Sequence, residues 1–72
     1  MKNYTAVIEY CNDTQLYVGY IPGFTGAHSQ GSTIDELVKN LQEVIEMLLE
    51  EGEPTLESNF IGVQNITVPA HG

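Results

Sequence analysis

His28 is the side chain best suited to proton transfer, because an imidazole exchanges protons near neutral pH. Its hydroxyl neighbours Thr25 and Ser29 would make a nucleophile only beside an acid placed to orient the ring, and the local sequence supplies none. Glu9 and Glu36 are the start of a carboxylate set for metal-assisted phosphodiester cleavage. That chemistry needs several acids from different elements holding ions about 4 Å apart. Glu36 also has the position of a helix-capping residue. The single Cys11 and the distant His28 and His71 do not have the spacing of a zinc site. The glycines lack the order of a phosphate loop and have no basic residue beside them. The expectation is a chain with no catalytic residues, no metal and no cofactor, in which His28 is a structural strand residue and Cys11 a small apolar one.

Charge is more informative than any of these residues. Ten acids face only Lys2 and Lys39, for a net charge of −8. Such a chain is repelled by phosphate backbones and anionic membranes and attracts basic proteins. Neither nucleic acid nor membrane is therefore expected as a direct partner. The acids expected on exposed surfaces, and hence the candidate partner-binding residues, are Glu9 and Asp13 near the first turn and Glu43, Glu46 and Glu50 on the helix.

The elements that carry these groups follow from hydrophobic periodicity. The 72 residues are read as a single domain, one so small that it removes only about 60% of its unfolded surface from water and profits from self-association. Residues 4–11 alternate as a strand, with Tyr4, Ala6, Ile8 and Tyr10 on one side. Asn12, Asp13 and Thr14 are turn residues able to accept positive φ, and residues 16–21 form the second strand of a hairpin. Pro22 and Gly23 suit the central positions of a type II turn, with Gly26 a second flexible point. A short third strand spans residues 27–30 and stops at Gly31.

Thr33 and Glu36 then have capping-box spacing, the threonine hydroxyl accepting from the Glu36 N–H and the carboxylate reaching back to the Thr33 N–H. From Ile34 onward, apolar residues recur every three or four positions through Leu49, giving a helix of about seventeen to nineteen residues that ends at Gly52 before Pro54. Glu50 and Glu51 sit at the negative end of its dipole, an arrangement that costs local stability. Residues 60–68 have strand composition and are expected to add a fourth strand before Pro69. The fold class is therefore α+β, an antiparallel three- to four-stranded sheet with one long helix on one face, in the order β-β-β-α-β. The uncovered face, expected to carry Thr5, Val7, Glu9, Tyr17 and Ile21, invites a partner or a second copy.

In this order the pieces resemble the HicB antitoxin family. The resemblance rests on residues 4–9, on residues 17–33 (YVGYIPGFTGAHSQGST) and on the helix that follows, about fifty residues in all. It implies a partial ribonuclease H-like fold and a non-catalytic role in which the domain binds a small basic HicA-like toxin and covers the surface with which that toxin cleaves mRNA. Longer HicB antitoxins carry a C-terminal DNA-binding segment that has no counterpart here, so autoregulation by this chain alone is not expected. The alternative is a stand-alone oligomeric domain with a structural or small-ligand role. Nothing at the start of the chain has the form of a signal peptide and no run reaches the roughly 20 apolar residues of a membrane span, so a cytoplasmic address is expected.

Overall fold

A computed structural model of the chain describes residues 2–70. Three strands, β1 (Val7–Cys11), β2 (Leu16–Tyr20) and β3 (His28–Gly31), precede one helix, α1 (Ile34–Leu49). The strands form an antiparallel sheet in the order β1-β2-β3, as the alternation predicts. β1 begins at Val7, later than expected. Its last partner is Tyr20, after which the opposing chain turns away at Pro22, leaving residues 4–6 with no strand to pair with.

The register fixes which side chains share a face. Ile8, Gly19 and Ser29 lie in one row, and Tyr10, Tyr17 and Gly31 in another. Both rows face α1, because a Cβ added at Gly19 would meet Leu37 at 3.2 Å and one added at Gly31 would lie 2.6 Å from the Leu37 backbone nitrogen. Leu37 is fully buried over these two glycines. This corrects the expected placement of Tyr17 and Ile21 on the uncovered face. Tyr17 pairs edge-on with Tyr10 across the helix side, ring centroids 5.0 Å apart, and Ile21 is a core residue. The uncovered face carries Val7, Glu9, Cys11, Leu16, Val18, Tyr20, His28 and Gln30.

The turns follow their residue types more closely. Phe24 N–H donates to the Ile21 carbonyl at 3.1 Å across Pro22-Gly23, with Gly23 at φ 79°, a type II arrangement. A second turn repeats it at once: Ala27 N–H donates to the Phe24 carbonyl at 3.1 Å, with Gly26 at φ 86°. This double turn drops Phe24 and Ala27 into the core with Ile21 and Leu41, against which Tyr4, Ala6, Ile45, Leu48 and Leu49 pack. In the β1–β2 turn the positive φ falls on Gln15, at 59°, rather than on Asn12 or Asp13. Gln15 N–H bonds back to the Cys11 carbonyl at 2.8 Å, and closing that four-residue loop requires its last residue to be left-handed.

Thr33 caps α1, its Oγ1 accepting from the Glu36 N–H at 3.0 Å. The return half of the box is displaced by one residue. The Glu36 carboxylate accepts from the Ser32 N–H at 3.3 Å and the Ser32 hydroxyl at 3.0 Å, two donors of one residue. The helix has 16 residues, slightly fewer than expected, because its last turn tightens. The N–H groups of Glu50, Glu51 and Gly52 donate to carbonyls three residues back, a 3₁₀ ending.

The expected fourth strand is not formed. Among the described residues, residues 60–68 form no strand pairing and leave Ile61 93%, Val63 89%, Ile66 76% and Val68 72% exposed. A strand exists only through a partner's backbone, and among the described residues this segment meets none.

Three stability outcomes follow. Leu37→Ala should lower unfolding free energy by about 2–5 kcal/mol, and Gly31→Ala by about 1–3 kcal/mol, because its Cβ has to push the helix backbone outward. Gln15→Gly should instead stabilise by about 0.5–1 kcal/mol by relieving the left-handed residue. Urea denaturation of the three variants beside the parent chain checks all of them.

Candidate protein-binding surfaces

The acids come to the surface in three places. Glu9 stands opposite Val18 on the face of the sheet turned away from α1, and Asp13 is in the β1–β2 turn. Glu43, Glu46 and Glu50 lie on α1 or its C-cap, on the opposite side of the sheet. All five are exposed, as expected, but Glu9 and the helical acids cannot touch one flat partner together. Counter-charge is sparse. The Lys2 ammonium pairs with the Glu53 carboxylate, whose hydrogen bond raises the lysine pKa above its usual value, and α1 has no basic residue in its last turn.

Three apolar features accompany this acidic skin. The first is a groove of about 590 Å³ between β1 and α1, floored by Ala6 and Ile8 and walled by Val38, Ile45 and Leu49, with Glu46 on its rim. It exists because the helix packs over β2 and β3, the strands whose Gly19 and Gly31 let it approach, and so overhangs β1 without resting on it. The second is a shallow depression on the uncovered face lined by Val18, Tyr20, His28 and Gln30. His28 is exposed there on the row of Tyr20. The third is the exposed arm of residues 60–68.

The groove and the arm were not legible as functional features in the sequence. The signal that could have revealed the groove is the glycine pair at positions 19 and 31, which shifts the helix toward one side of the sheet. Among the described residues, no group of three or more His, Cys, Asp or Glu is placed to hold a metal, and no helix is long and apolar enough to cross a membrane. His71 lies outside the described residues.

Cys11 has chemistry that its composition does not reveal. It is half-buried at the end of β1, and a hydrogen bond with the Thr14 side chain, helped by the backbone N–H groups of Thr14 and Asp13, holds its thiol below the usual cysteine range. A lowered pKa places thiolate at lower pH. The pH midpoint of Cys11 alkylation by iodoacetamide should therefore lie below that of an unstructured cysteine peptide, and Thr14→Val should move it upward.

Comparison with known proteins places the chain. A UPF0150 protein of Synechocystis sp. is 49% identical over 53 residues, covering 74% of this chain and 77% of that protein. One from Thermotoga maritima is 40% identical over 68 residues, covering 93% and 91%, and one from Archaeoglobus fulgidus is 37% identical over 63 residues, covering 88% and 91%. No solved structure matches the chain. The UPF0150-like family profile matches residues 4–51, the whole of the sheet and helix, and the chain belongs to that family.

Proposed function

We propose that this chain is a non-catalytic, cytoplasmic protein-binding domain that acts as an antitoxin, covering the active surface of a small basic ribonuclease of the HicA kind. The observation that carries the reading is the one-signed surface: a net charge of −8 on a 72-residue chain, with Glu9, Asp13, Glu43, Glu46 and Glu50 all exposed. A ribonuclease that grips the phosphates of mRNA presents a basic surface, and an acidic domain competes for that surface with the charge pattern of the substrate itself. The resemblance to HicB antitoxins in residues 4–9 and 17–33 supports the same partner.

Charge of this kind acts mainly on encounter. It steers the two proteins together and excludes wrong partners, while the apolar contacts set the lifetime of the complex. The helical acids form the denser group, so α1 is assigned as the face that meets the toxin, with Glu46 extending that face to the rim of the groove. A second reading, a stand-alone oligomeric domain with a small-ligand role, is favoured by the groove of about 590 Å³. It requires no basic partner.

The deciding experiment co-expresses the chain with a small basic HicA-like ribonuclease, then assays RNA cleavage by that protein alone and in complex. Inhibition at one-to-one stoichiometry supports the antitoxin reading; cleavage unaffected by the chain removes it. The triple variant Glu43→Lys, Glu46→Lys, Glu50→Lys should slow association about 10- to 100-fold at low salt, with a much smaller effect at high salt. Stopped-flow measurement across ionic strength reads this directly.

A further inference from the structure

The two edges of the sheet are not equivalent. β3 lies under the helix, where Asn40 Nδ2 donates to the Gln30 carbonyl at 2.9 Å. Among the described residues β1 pairs with β2 alone, so every second backbone N–H and C=O along its outer side points outward. Beside that bare edge, on the helix side, runs the open groove, with Ile8 40% and Val38 50% exposed within it.

The arm has the complementary deficiency. Residues 60–68 are rich in Ile, Val, Phe and Thr, a composition that suits a pleated, half-buried strand, yet its large side chains are exposed and its backbone is unpaired among the described residues. Its root is fixed. Glu57 N–H donates to the Gly23 carbonyl at 2.8 Å, and Ser58 sits so close to Gly23 that a Cβ there would lie 2.2 Å from the Ser58 carbonyl oxygen. The arm thus starts at the turn joining β2 to β3, and β2 separates that turn from the β1 edge. It leaves the body instead of crossing beneath the sheet: the molecule is 52 Å long, whereas its 16-residue helix accounts for only about 24 Å.

We propose that two copies of the chain exchange these arms, residues 60–68 of each pairing along β1 of the other and covering its β1–α1 groove. A two-fold arrangement satisfies both copies with one kind of contact, as an isologous interface requires. It adds a fourth strand to each sheet, donated by the neighbour, through backbone pairing of the β-augmentation type. Nine extended residues reach about 30 Å, ample for the five residues of β1. The inference is independent of whether a toxin exists.

Light scattering of the full chain and isotope-filtered NMR on a mixture of ¹³C-labelled and unlabelled copies test it together. The expected result is twice the 7.9 kDa chain mass, with intermolecular contacts from the Ile66 and Val68 methyls to those of Ile8 and Val38. Ile66→Lys should weaken the dimer about 10-fold or more while leaving the far-ultraviolet helix signal intact; Glu43→Lys, on the outer face of α1, should leave the dimer in place. A monomer at NMR concentration overturns the proposal, as does an arm that contacts only its own groove. A dimer joined through the uncovered face, with residues 60–68 still at random-coil shifts, overturns it equally.

Discussion

Leu37 seated over Gly19 and Gly31 is the contact on which the remaining geometry depends. Close packing of helix on sheet requires either small residues below or a wider gap, and here two glycines in adjacent strands remove the side chains that would hold α1 away. The consequence is lateral as well as vertical. Because both glycines belong to β2 and β3, the helix settles over those strands and not over β1, which leaves the groove open and Ile8 and Tyr10 partly exposed. Thr33 and Ser32 reinforce the placement by fixing the helix start directly after Gly31.

The opposite end of the domain is organised by the double turn at residues 21–27. Two consecutive turns, each with a glycine at positive φ, reverse the chain while directing Phe24 inward, where it packs against Tyr4 at a ring separation of 5.6 Å. The same turn presents the Gly23 carbonyl and open Cα surface on which residues 57 and 58 rest. One local device thus closes the core and sets the direction in which the chain departs.

Much of this was legible in the sequence because the signals were local. Pro22-Gly23 requires a turn through φ alone, and Thr33-x-x-Glu36 followed by a three-four apolar period admits little besides a capped helix. What could not be read depended on atoms distant in the chain. The phase of β2 relative to the helix, which moved Tyr17 and Ile21 to the covered side, is set by where Leu37 finds room. That the Glu36 carboxylate meets Ser32 and not Thr33 depends on the path by which the chain enters the helix. Residues 60–68 have strand composition, but composition states only that a segment is suited to pairing and not what it will pair with. Among the candidate acids, exposure was foreseeable from charge, whereas their division between the two sides of the sheet required the register.

That division has a thermodynamic consequence. Acids on both sides of a thin, two-layer domain give it a negative potential from nearly every approach, so two copies repel one another while a basic protein is attracted from any direction. Added salt shortens the range of both effects to a Debye length of about 8 Å at physiological strength, and it therefore moves the two kinds of association in opposite directions. Ionic strength then acts as a selector between like and unlike company: dilute buffer favours the oppositely charged partner, and concentrated buffer favours the chain's own kind.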